Sequence, residues 1–157
     1  MKLLVTVLAT GAVVAAATAL PATGQQAPGA RTLTLTSVTA RGSEHAIDTP
    51  PKGESAGDRF IFASTLRRGA AMAGRMEGDC LAVDAKFEGL QCTLTAVLAD
   101  GSIALEGASL NKRIPGATTP AGEVYAITGG TGAYAGATGT MTRSGNGKRD
   151  TLVFALG

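Results

Sequence analysis

The residues equipped for chemistry are few. The chain carries one histidine, His45, two cysteines, Cys80 and Cys92, and no tryptophan. A single histidine in the polar segment RGSEHAID supplies neither a serine–histidine–aspartate relay nor a metal site, and no CxxC pair is present to hold a metal instead. No local motif pairs two carboxylates for glycoside chemistry. What remains is a set of polar side chains in strand-like segments of the second half: Glu106, Glu123, Tyr125 and Arg143. A hydroxyl, a carboxylate or a guanidinium set against an apolar ligand stabilises partial charge as it reacts. The same residue types on a half-polar strand also turn outward to water, and a tyrosine packs with its hydroxyl at a rim.

The stretch ITGGTGAYAGATGT, residues 127–140, has five glycines in fourteen residues and invites a phosphate reading. That reading requires a helix N-terminus directly behind the glycines, where free N–H groups and the helix dipole meet an anion. Here Ala133 to Gly139 is too interrupted by glycine to continue as a helix, and no Lys-Ser or Lys-Thr pair follows. The run therefore serves backbone shape. Gly129 and Gly130 are expected to reverse the chain through positive φ at the end of a strand, Gly132 lies in the tight turn that follows, Thr131 is expected to cap that turn, and Tyr134 to plug one end of the domain.

The cysteines lie in RMEGDCLAVDA and LQCTLTAVLA, with Lys86 to Gly89 as the turn between them. Positions 80 and 92 are symmetric about Lys86, so a hairpin turning there sets them side by side on one face. A disulfide is the leading reading, and a free reactive cavity thiol is the alternative.

The elements that must position these groups are strands. TLTLTSVT from Thr32 and CTLTAVLA from Cys92 alternate with period two. Further strands are expected over 58–66, 74–84, 102–108, 123–128, 137–143 and 151–156, which brings the number to eight. Asp100-Gly101 and Asn146-Gly147 are hairpin turns. The long connections are Arg41 to Gly57, with Pro50-Pro51, and Asn111 to Gly122, with Pro115 and Pro120. Eight strands on mostly short connections close into an antiparallel up-and-down β-barrel with no exposed edge.

Residues 1–27 have the order of a secretory signal and short leader: Lys2, the apolar run Leu3 to Leu20, then small residues. Residues 28–157 are then a single barrel domain, secreted into an oxidising compartment with no stable membrane anchor after cleavage. That domain retains 12 acidic and 13 of the 14 basic residues. Its near-neutral charge and scattered basic pairs exclude an electrostatic attraction to nucleic acid or anionic membrane.

YAITGGTGAYAGATGTM, residues 125–141, resembles the corresponding segment of the allene oxide cyclase and dirigent barrels: a strand, Gly-Gly-Thr-Gly, an aromatic two residues on, then another strand. Weaker similarity extends to GDRFIFASTL at 57–66, GDC at 78–80 and LADGSIALEG at 98–107. The resemblance implies an eight-stranded barrel with a hydrophobic cavity, assembled as a trimer or dimer, that binds an apolar small molecule. It also implies that such a barrel steers cyclisation or coupling as an isomerase with no cofactor or metal. Glu106, Glu123, Tyr125 and Arg143 are then candidate cavity residues. Two departures matter. Plant dirigent proteins carry ARG where this chain has Ala137-Thr138-Gly139, and Cys80, which matches the cavity cysteine of the cyclases, has Cys92 as an expected partner. Neither catalytic set carries over, and a non-catalytic barrel holding a lipid-like ligand, or serving a structural role, is the alternative.

Overall fold

The computed structural model describes residues 29, 31–84, 89–110 and 123–157. The expected leader, most of the turn at 86–89 and the proline-containing connection at 111–122 lie outside the described residues.

Alternating sequence becomes alternating burial. Leu152, Phe154 and Leu156 are buried while Thr151 and Ala155 are exposed, and Tyr125 and Ile127 are buried between exposed Val124, Ala126 and Thr128. With that period, the strands form one antiparallel sheet: β1 Arg31–Ile47, β2 Arg59–Arg68, β3 Ala71–Ala82, β4 Gly89–Leu98, β5 Gly101–Leu110, β6 Glu123–Gly130, β7 Gly139–Gly145 and β8 Arg149–Leu156. Each strand pairs with the next, and β8 returns to β1 with Leu152 opposite Leu35, so the barrel is closed. Closure satisfies both edges, and the inward apolar side chains form one core.

Turn chemistry fixes the register. Leu98 pairs with Gly101 across a two-residue turn, and between β7 and β8 the Asn146 carboxamide oxygen accepts from the backbone N–H groups of Lys148 (3.1 Å) and Arg149 (3.0 Å). Cys80 and Cys92 are direct partners on β3 and β4, with Cα atoms 4.0 Å apart, and form a disulfide that faces the interior. The expected pairing is present, and neither sulfur is a free thiol.

Two local expectations are corrected. The segment from Arg41 was expected to leave the sheet, but β1 continues to Ile47 through a bulge: Thr39 faces Ser64, and the next pair is Glu44 with Phe62. Five residues are spent on β1 against two on β2, so three are extra, and the alternation signal that defines a strand in sequence is broken there. Gly42, at φ +82°, makes the reversal within the bulge, and the Ser43 hydroxyl donates to the Ala40 carbonyl at 2.7 Å. Beyond the strand, buried Asp58 ties down the connection to β2 by accepting from Thr49 N (2.8 Å) and Ser55 N (2.9 Å). These backbone hydrogen bonds hold its carboxyl below the usual aspartate range.

The glycine segment is the second correction. β6 runs on through Gly129, which has the expected positive φ at +157°, and Gly130, and the chain reverses only afterwards, in the single 3₁₀ turn Gly132–Tyr134. Gly130 is needed for closeness: a Cβ there would run into the carbonyl oxygens of Tyr134 and Ser102. Thr131 holds the N-cap position, its carbonyl accepting from Tyr134 N at 3.0 Å, but its side chain makes no capping hydrogen bond. Its hydroxyl instead accepts from Ser102 N at 3.1 Å and lies 2.8 Å from the Ser102 hydroxyl, tying the turn to β5. Tyr134 is buried against this end of the barrel, with the Arg31 guanidinium 4.8 Å above its ring.

Candidate functional site

Tyr134 closes one end; the polar cluster occupies the other. Glu123 and Tyr125 are two apart on β6 and so share the inward face. The Tyr125 hydroxyl donates to Glu123 Oε2 at 2.8 Å, and its ring lies against Gly107 of β5, where a Cβ would come within 2.9 Å of ring carbon Cδ1. Register brings Arg143 directly opposite Glu123, and its Nη1 donates to the same Oε2 at 2.9 Å. Arg143 Nε donates to Asp150 Oδ2 at 2.9 Å, while Asp150 Oδ1 accepts from Gly147 N at 2.8 Å. The Ser109 hydroxyl, from β5, donates to Glu123 Oε1.

These contacts set the protonation states. Burial pushes the Glu123 carboxyl up, but hydrogen bonds from Ser109 and Tyr125 and the Arg143 charge outweigh it, and the net shift is downward. Burial, and then the adjacent Glu123 charge, drive the Tyr125 hydroxyl well above the ordinary tyrosine range. Burial works against the Arg143 charge, but Asp150 and Glu123 more than compensate, and its pKa rises. At neutral pH Tyr125 is therefore a neutral phenol, Glu123 a carboxylate and Arg143 a guanidinium.

A cavity of about 50 Å³ opens beside it. Its apolar wall is Phe60, Phe62, Met76, Leu94, Met141 and Leu152. Its polar lining is Ser37 and Thr39 from β1, Glu44 beyond the bulge, and Tyr125, Arg143 and Asp150. Ser37 and Ser64 are buried and satisfy each other at 2.6 Å between their hydroxyl oxygens. The lining sets hydrogen-bonding groups beside an apolar wall, in a space well below the roughly 300 Å³ that encloses a whole ligand, so an apolar body enters it with one end only.

Of the four candidate residues, the structure brings Glu123, Tyr125 and Arg143 together. Glu106 stands apart: it is exposed on the outer face between inward Leu105 and Gly107, where Gln91 Nε2 donates to it at 3.3 Å. Period two along β5 sends it outward. The disulfide lies in line with the cavity wall, because Phe60, Cys80, Cys92 and Gly107 are successive partners across β2 to β5, although only Phe60 of the four lines the cavity. Sequence reasoning missed Asp150, although a charge in phase with Leu152 and Phe154 is a readable signal. It also missed Ser109, Phe60, Phe62 and Glu44, and for Glu44 no such signal exists, since the bulge hides its phase.

No protein-family model and no curated protein matches the sequence. Solved structures do. A pyocyanin demethylase is 28% identical, with a TM-score of 0.65, over 81% of this chain and 100% of that one. A pterocarpan synthase dirigent protein is 18% identical, with a TM-score of 0.58, over 84% of this chain and 99% of that one. An exo-specific intermolecular Diels-Alderase is 11% identical, with a TM-score of 0.55, over 82% of this chain and 98% of that one. The barrel is of the allene oxide cyclase and dirigent type.

Proposed function

We propose that this barrel binds a small, largely apolar molecule in the cavity beside Tyr125 and, without a cofactor, steers it through a cyclisation, a coupling or a related rearrangement. The observation that carries this reading is the arrangement of the interior: one end closed by Tyr134, an apolar wall, and Tyr125, Glu123 and Arg143 gathered at the other end. Held in a single reactive shape, a substrate loses the entropy cost of folding on itself before it reacts, which lowers the barrier by several kcal/mol without any proton transfer. The Tyr125 hydroxyl oxygen, its proton held by Glu123, adds a fixed polar group against which partial charge can develop. The likeness to a demethylase, a dirigent protein and a Diels-Alderase, all barrels named for small-molecule chemistry, supports the same reading. The leader-like residues 1–27 and the Cys80–Cys92 disulfide support a secreted protein.

One observation favours a binder that leaves its ligand unchanged: both Glu123 oxygens are already taken by Ser109, Tyr125 and Arg143, so no carboxylate in this cluster is idle. The test is titration with an apolar fluorescent probe, followed by recovery of the probe. Tyr125→Phe is expected to shift the affinity while costing only about 1 kcal/mol of stability. Affinity indifferent both to this change and to Met141→Trp, which fills the cavity, would remove the interior as the binding site. A probe recovered chemically altered would favour the catalytic form.

A further inference from the structure

Glu44 occupies a position that the alternation of β1 does not give it. Leu35 and Ser37 face inward and Thr39 lines the cavity, so an uninterrupted strand would next send Arg41, Ser43 and His45 inward. The three extra residues of the bulge invert that phase. Glu44 pairs with inward Phe62, and His45 pairs with Ile61. The bulge therefore places a carboxylate at the rim of the cavity, next to an aromatic ring.

That carboxylate differs from the other two. Glu123 and Asp150 both lie on Arg143, at 2.9 Å each. Glu44 has no hydrogen bond or ion pair among the described residues. Arg143 looks at first like a site for an anionic ligand, but two carboxylates already neutralise it. With Glu44 included, three carboxylates and one guanidinium stand at this end of the barrel, and only Glu123 and Asp150 touch Arg143. Phe62 lies directly opposite Glu44 and Phe60 opposite Ala46, their ring centroids 6.0 Å apart and both on the cavity wall. Aromatic faces beside an unpaired carboxylate attract a positive charge attached to an apolar body through the ring quadrupole and the ion pair together.

We infer that the cavity selects an organic cation, a flat or compact apolar body carrying a quaternised or protonated nitrogen, and that Glu44 is the residue that sets this preference. The inference rests on the cavity being the binding site. Glu44 acts on affinity and lies outside the Tyr125 cluster that would face the reacting atoms. Its exposure keeps the effect moderate, since an exposed ion pair and an exposed cation–π contact each contribute little.

Three probes of one shape separate the possibilities: N-methylquinolinium, uncharged quinoline and quinoline-3-carboxylate, titrated calorimetrically at neutral pH into the secreted protein. The cation should bind about tenfold more tightly than quinoline, with the carboxylate weakest. Glu44→Gln should abolish most of that preference while leaving quinoline within about twofold, and Glu44→Lys should place the carboxylate above the cation. In the unaltered protein, the preference should shrink as ionic strength rises from about 0.02 M to about 0.5 M, a readout that needs no variant. Equal binding of cation and quinoline, or a preference that survives both Glu44→Gln and high salt, overturns the inference and leaves the cavity reading standing. Failure of all three probes to bind overturns both.

Discussion

Glu123 is the residue on which the interior polar groups converge, and its chemistry makes a prediction about acid. Its carboxyl is held below the 4.5 of an unperturbed glutamate, because the donors on it outweigh the cost of burial. A carboxylate depressed by folding contributes stability that is fully present above its unfolded-state value and is lost as the pH falls through its folded-state value. Glu123→Gln should therefore melt below wild type near neutral pH, and the gap should close as the pH drops below 4.5. Asp58 is shifted in the same direction, so both proteins lose stability in acid; the gap between them isolates Glu123. A gap that stayed constant down to about pH 3 would mean the hydrogen bonds do not favour the ionised form. The sequence made part of this cluster readable, because a spacing of two on a strand puts Glu123 and Tyr125 on one face. Arg143 and Asp150 join them through register across β6, β7 and β8, which depends on turn lengths as well as residue types.

At the scale of the element, the β3–β4 hairpin and the glycine segment show opposite degrees of legibility. Cys80 and Cys92 sit symmetrically about their turn, and strand pairing converts that symmetry directly into contact. The protein should accordingly show no free thiol when denatured without reductant, and the Cys80→Ala, Cys92→Ala double variant should lose about 2–4 kcal/mol. Two titratable thiols in protein purified without reductant would contradict the pairing. In the glycine segment, composition announced a special backbone but not which constraint applied to which glycine. The reversal falls at Gly132, at φ +59°, one residue beyond Thr131, while Gly130 remains in the strand because Tyr134 and Ser102 crowd it. Gly130→Ala should therefore destabilise by about 2–4 kcal/mol through collision with backbone, which cannot swing aside as a side chain can. A melt within about 0.5 kcal/mol of wild type would show that the turn yields. The bulge in β1 was hidden for a related reason: an odd insertion scrambles the very period by which a strand is recognised.

For the whole molecule, the two halves of the outer surface differ in kind. The β2 and β3 side carries charges, with Arg59 paired to Asp79 and Arg75 to Glu77. The outward positions of β6, β7 and the later part of β8 are small or uncharged, among them Val124, Ala126, Thr128, Thr140, Thr151 and Ala155, all exposed in the single chain. Flat β surface without charge is inexpensive to dehydrate, and no desolvated ion pair opposes its burial against a second copy. We propose a closed homo-oligomer whose contacts run along these strands. Light scattering at micromolar concentration should give the mass of a trimer or dimer, and a charge placed in the middle of the face, Ala126→Glu, should lower that mass while the barrel still melts cooperatively. A clean monomer from the unaltered protein would leave the uncharged face as a property of the strands alone. An oligomer indifferent to Ala126→Glu would move the interface to the charged side, where the Arg59–Asp79 pair would have to be dehydrated to form it.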